Sequence, residues 1–325
     1  MKKFFIKICK FLGFEIIDQN EFISPTLNKE LNEDLSIINK KSIVLPLGEV
    51  KITRKVNSIL IIVRVNTEIE VWDQNKRRLF EQPKIEYSIR SIKSLINSIN
   101  LCQKKYSDLK IKLIILDDSS NDENLGKIKE IIKDVNGEII SLDTKKFETK
   151  IKKQKTKETF SNLASLLQCF EIGKEIGEDL IFFVEDDYLH FKTMLAEMIA
   201  TYERVSSQLG KDIFMCPSDY PYLYMGNEKT NVLIGSKRHW RTIDKTLCTF
   251  LTSKTLINKY WDNFKKTCEK RHDPFEKYLN EIYLEEICIS PIKSLSLHLT
   301  NINSSYGLAP FINYKELWEE NKLDD

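Results

Sequence analysis

Uninterrupted apolar runs, SILIIVRV at 58–65, IKLIILDD at 111–118 and DLIFFVEDD at 179–187, constrain this chain more than any other feature. Each is too short for a buried helix, is rich in β-branched and aromatic residues, and shows no polar alternation, which marks strands covered on both faces. Stretches of helical period separate them: IEYSIRSIKSLINSI (85–99), LGKIKEIIKDV, TFSNLASLLQCFEIGKEI (159–176) and FKTMLAEMIATYERVSSQL (191–209). With EIISLD (138–143) and DIFMCPSDY as further strands, the alternation predicts an α/β protein. Its sheet is mostly parallel, with helices on both faces. From about residue 220 the pattern becomes mixed, with NVLIGS, TLCTFLTS and CISPIKSLSLHL as strands and a helix near TLINKYWDNFKKTCEK. We divide the chain into an extension at 1–55, a domain at 56–300 (nucleotide-binding half 56–190, acceptor half 191–300) and a tail or lid at 301–325.

A chain of 325 residues with 42% hydrophobic content can bury such a core. Lys and Arg total 50 against 48 Asp and Glu, so no global field recruits nucleic acid. The seven cysteines are odd in number and form no C-x-x-C pair, which fits a reducing, cytoplasmic compartment better than a disulfide framework. No stretch reaches the roughly 20 apolar residues that span a bilayer. The N-terminal MKKFFIKICKFLGFEII does place Phe4, Phe5, Ile8, Phe11 and Leu12 at helical spacing among Lys2, Lys3, Lys7 and Lys10. Such a basic amphipathic helix either docks on the protein's own core or makes a peripheral contact with the inner face of the membrane through residues 1–17.

Two apolar strands end in acid: LIILDDSSND at 113–122 and IFFVEDDYLH at 181–190. In an open parallel sheet ligands bind outside the carboxyl ends of the strands, so both clusters belong to one rim. A single strand-end Asp is commonly a cap or turn residue. Three adjacent carboxylates, Glu185, Asp186 and Asp187, repel one another unless a cation is near, and hard oxygen ligands suit Mg²⁺ or Mn²⁺. Such an ion completes its shell with substrate phosphates. No G-x-x-x-x-G-K-[ST] or G-x-G-x-x-G occurs, so a glycine-rich loop does not hold those phosphates. Asp117-Asp118-Ser119 also lacks the Asp-x-Asp of haloacid-dehalogenase phosphatases.

The LIILDDSSND segment is similar to the Asp-Asp-x-Ser-x-Asp segment of the nucleotide-sugar glycosyltransferases of GT-A fold, near the family-two type. VEDDY looks like their metal-binding motif in a Glu-Asp-Asp form. The helix with Phe160, Asn162 and Ala164 resembles the Asn-Ala helix that precedes that motif. The resemblance spans about 56–300 and is specific over 111–122 and 181–190. It implies a GT-A-like, Rossmann-type sheet and a metal-dependent enzyme of cell-surface glycan synthesis. The sugar would pass from a nucleotide-diphosphate donor to a saccharide or lipid-linked acceptor.

The resemblance implies that Asp118 meets the nucleobase or ribose, with Asp117 and Asp122 beside it. Asp187 would ligate Mn²⁺ or Mg²⁺, with Asp186 a further candidate ligand, while Asp186 and Glu185 orient ribose, metal-bound water or the donor sugar. His298, in the late strand SLSLHLT, would join the metal shell or serve as a core residue. In the family the acceptor's base is an acid some eighty to one hundred residues beyond the metal motif, at a helix start. Asp273, with Pro274 at the first helical position, stands at that separation, and its other reading is a helix cap. Asp219 and Asp244 are further candidates. Arg238, His239, Trp240 and Arg241 in SKRHWRTIDKT would meet donor phosphates and stack on a sugar, or form an ordinary basic loop. Two other readings stay open: a sugar-nucleotide nucleotidyltransferase, against which the glycine-poor SILIIVRVNTEIEVW stands, and a non-catalytic peripheral membrane or assembly protein on the same fold.

Overall fold

The computed structural model describes residues 2–14, 41–44, 48–68, 78–226, 230–300 and 302–323. Most of the expected extension, residues 15–40 and 45–47, and part of the stretch after the first long strand, 69–77, lie outside the described residues. The N-terminal part holds α1 (Lys2–Phe11) and a hairpin of β1 (Lys41–Val44) and β2 (Gly48–Lys51). The alternating half follows as β3 (Ser58–Val65), α2 (Lys84–Lys105), β4 (Lys110–Asp117), α3 (Asp122–Ile132), β5 (Gly137–Ser141), α4 (Lys157–Ile176) and β6 (Leu180–Glu185). Beyond it come β7 (Tyr188–His190), α5 (Met194–Leu209), β8 (Phe214–Met215), β9 (Val232–Ile234), β10 (His239–Ile243) and β11 (Phe250–Ser253). The chain continues with α6 (Lys254–Lys259), α7 (Trp261–Glu269), α8 (Lys277–Ile282), β12 (Cys288–Pro291), β13 (Ser296–His298) and α9 (Tyr314–Glu320).

Nine strands form one sheet in the order β5, β4, β3, β6, β11, β8, β12, β10, β9. The first four are parallel; β11 opposes both its neighbours, β8 and β12 are parallel, and β10 opposes both of its own. Only β10 and β11 therefore run against the other seven, and the fold is α/β with a mostly parallel sheet. The period of two explains the continuous apolar strands. Ile59, Ile61, Val63 and Val65 face the core beneath α2, α3 and α5, while Leu60 and Ile62 face the core beneath α4, α6, α7 and α8. In β6, Leu180, Phe182 and Val184 take the first side, Ile181 and Phe183 the second. Both faces are dry along most of each strand, so polar residues come only near the strand ends, as Arg64 and Glu185 do. Where α4 crosses Phe183, Gly173 is required: a Cβ there would stand 2.9 Å from the ring.

Local chemistry sets the helix starts. Asn121, Thr156 and Ser253 cap α3, α4 and α6 through side-chain oxygens that accept backbone N–H groups. The C-terminal α9 docks on α2: Trp318 stacks on Phe80 with centroids 4.1 Å apart, and the Arg90 guanidinium lies 4.2 Å over the Trp318 ring. On the N-terminal helix Phe4, Phe5, Ile8 and Phe11 are exposed, so this apolar face packs on nothing among the described residues. No helix among the described residues is long and apolar enough to cross a membrane.

Candidate functional site at the carboxyl rim of the sheet

Register brings the two acidic clusters together. Val65 pairs with Asp117 and Arg64 with Glu185, so the ends of β4, β3 and β6 lie side by side. On the β4 side, both oxygens of Asp118 accept from the Ser161 hydroxyl of α4, at 2.7 and 2.6 Å. Asp117 accepts from the backbone N–H of Ser120, and burial pushes its carboxyl above the usual range. Ser119 turns the chain between them with φ +66°. Asp122 is exposed in the first turn of α3.

The three consecutive acids do not face one another. Glu185 ends β6, and its carboxylate accepts from Arg64 at 2.7 Å. Arg64 also donates to the Asn162 side-chain oxygen at 2.8 Å and to Ser165 at 3.2 Å. This single cation in SILIIVRV is thus fully used, linking β3, β6 and α4. Burial still raises the Glu185 carboxyl despite Arg64. Asp186 turns to the other side, where Lys84 at the start of α2 pairs with it at 2.6 Å and the Ser88 hydroxyl donates to it. The chain itself thus relieves part of the crowding among the three acids. Two of them already hold protein cations.

Asp187 differs. It lies where the chain leaves the main sheet and enters the small β7–β13 sheet, in which Tyr188 pairs with His298. His298 Nε2 stands 3.3 Å from Asp187 Oδ2, and its Nδ1 lies 2.8 Å from the Tyr306 carbonyl oxygen. A carbonyl only accepts, so Nδ1 carries a proton; Nε2 donates to the Asp187 carboxylate when His298 is charged and presents a lone pair there only when the ring is neutral. The imidazole is held flat by Tyr188, centroids 4.7 Å apart and planes within 6°. Burial works against both charges, yet His298, Lys84 and Arg64 outweigh it and hold Asp187 well below the carboxylate range. Burial likewise opposes the His298 charge, while Asp187, Glu185 and the Tyr306 carbonyl raise it above its usual value. Asp187 Oδ1 is buried with no hydrogen-bond partner. An orphaned carboxylate oxygen beside an imidazole lone pair is a fitting donor set for Mn²⁺ or Mg²⁺. Among the described residues no group of three His, Cys, Asp or Glu could hold a metal, so such an ion would take most of its shell from ligand phosphates and water.

Asp273 does not stand at a helix start. Asp273 is exposed, and α8 begins at Lys277 with Glu276 as the flanking residue, so Pro274 does not occupy the first helical position. Glu276 is instead half-buried, and its carboxyl is pushed up to about 7 by burial and then by Glu185, against smaller effects of His298 and Arg64. It stands in the field of the rim, a placement that sequence spacing does not show. Asp219 is no free base: Arg241 pairs with one oxygen, and the Tyr224 hydroxyl and Lys293 N–H hold the other. Asp244 is exposed beside Lys245.

The reading of 238–241 as a cationic, sugar-stacking loop is corrected as well. These residues open strand β10. Arg238 is held by both oxygens of Glu197, at 2.7 and 3.0 Å, and donates to the Lys293 carbonyl. Arg241 is spent on Asp219 and covers the Tyr224 ring. Trp240 is fully buried and lies so close over Gly235 that no Cβ fits there. His239 alone is exposed, at the strand's start.

No family model matches this sequence, and no curated protein matches it. Solved structures to which this chain is similar include TarS from S. aureus, at 14% identity over 74% of this chain and 36% of that chain, TM-score 0.40. Another is the apo-form glycosyltransferase GlyE of Streptococcus pneumoniae TIGR4, at 12% identity over 84% and 61%, TM-score 0.40. A third is the inositol-1-phosphate CTP transferase from T. maritima, at 11% identity over 82% and 97%, TM-score 0.41. This chain thus spans little more than a third of TarS. Likenesses of this depth leave activity to be argued from the rim itself.

Proposed function

We propose that this protein is a metal-dependent glycosyltransferase of GT-A type, moving a sugar from a nucleoside-diphosphate donor to a saccharide or lipid-linked acceptor. The observation that carries the reading is the Asp187–His298 pair, with an orphaned carboxylate oxygen and a tautomer fixed by Tyr306, set on the same rim as Asp117 and Asp118. Asp187 and His298 would hold Mn²⁺ or Mg²⁺, which supplies positive charge to the leaving diphosphate. Asp118, pinned by Ser161, presents acceptors to the nucleoside, with Asp117 bracing the turn. Asp122, exposed in the first turn of α3, would complete the acidic set on that side.

Arg64 fixes Glu185, and Lys84 fixes Asp186, so these two carboxylates shape the donor pocket without carrying free charge into it. Glu276, with a carboxyl near neutrality, is suited to take the acceptor hydroxyl's proton in a direct displacement. The test is a donor screen: purified protein with nucleotide sugars and Mn²⁺, scoring release of nucleoside diphosphate. Release that stops with a chelator is the expected result. Pyrophosphate release from a nucleoside triphosphate and a sugar 1-phosphate would instead make the protein a nucleotidyltransferase.

A further inference from the structure

The rim leaves α1 unexplained. Phe4, Phe5, Ile8, Phe11 and Leu12 follow helical spacing and are exposed by 41 to 89%, and Phe14 just beyond the helix is 68% exposed. Soluble surfaces seldom leave an apolar patch of this kind uncovered. The chemistry around it names the cover. Residues 1–14 contain lysines at 2, 3, 7 and 10 and no acid, and positions 3, 7 and 10 recur at the helical spacing of the opposite face. A protein partner would have to supply both an apolar groove and a matching acidic rim, whereas an anionic bilayer offers acyl chains and negative headgroups in one plane.

We propose that α1 is a membrane-surface anchor, lying in the headgroup layer of an anionic bilayer with its phenylalanine face toward the acyl chains. Neither signal suffices alone. A helix of ten residues buries too little for firm attachment, and the lysines act only within about a Debye length of the charged surface. Binding is therefore weak, reversible and dependent on lipid charge. The inference is independent of the reaction at the rim.

Flotation of the full chain with vesicles tests it, using phosphatidylcholine alone and phosphatidylcholine mixed with phosphatidylglycerol. The protein should float with the mixed vesicles at low salt and stay down with neutral vesicles or at high salt. Phe5→Ser with Phe11→Ser should abolish flotation, and each of Lys3→Glu and Lys7→Glu should lower partitioning about fivefold or more. Because the apolar face of α1 packs on nothing described, thermal midpoints should not move. Equal flotation on both vesicle types, or variants that float like the parent, would overturn the proposal. A fall in thermal midpoint would return α1 to the protein's own core. A change in oligomeric state without vesicles, read by light scattering, would assign the face to a second copy of the chain.

Discussion

At the residue scale, the site is a matter of how like charges are separated. Glu185, Asp186 and Asp187 are consecutive, yet the end of β6 sends the first to Arg64, the second to Lys84 and the third to His298. Only the third pair joins an unpartnered oxygen to a titratable nitrogen, and that distinguishes Asp187 from its neighbours. Glu276→Gln should leave nucleotide affinity nearly intact and lower kcat by about a hundredfold or more, whereas Asp273→Asn should leave turnover unchanged. Steady-state kinetics with nucleotide binding measured in parallel checks both. Asp117, Asp118 and Asp187 were legible because strand ends are fixed by the apolar runs before them. Arg64, Ser161 and Glu276 were not, since their roles depend on which side chain lies across the sheet. Trp240 and Arg238 looked functional only because sequence does not reveal that Gly235 and Glu197 already receive them.

At the element scale, β3, β4 and β6 were readable almost residue for residue, because burial on both faces leaves few polar positions to blur the pattern. β10 was misread as a loop for the opposite reason: its charged residues are satisfied by distant partners that local pattern cannot show. α5 carries a related hidden feature. Glu203 is buried, accepts the Val56 N–H at 2.9 Å, and burial pushes its carboxyl up to about 7. A raised acid favours the fold in its neutral form, so its contribution is full below the unfolded pKa and is lost as pH rises from about 4.5 through 7. Glu203→Gln keeps an acceptor for Val56 and cannot ionise. It should therefore stabilise the protein at pH 8 by on the order of 1–3 kcal/mol and give no gain at pH 4. Denaturant unfolding at the two pH values measures this; equal effects at both would show that Glu203 ionises freely.

At the scale of the whole molecule, four parallel strands set the acidic rim and a second, smaller sheet delivers His298 to it. β13 and β7 pair only after the chain has passed through β8, β9, β10, β11 and β12, so the meeting of Asp187 with His298 is a product of the complete fold. Loss of the β7–β13 pairing should thus separate Asp187 from His298, and with them the proposed metal site, while the main sheet stands. The most direct measurement of the central claim is calorimetry of UDP binding with and without Mn²⁺, on the parent protein, Asp187→Ala and His298→Ala. Binding should need Mn²⁺ and weaken at least tenfold in each variant. Mn²⁺-independent binding, or affinity unchanged by Asp187→Ala, would contradict it.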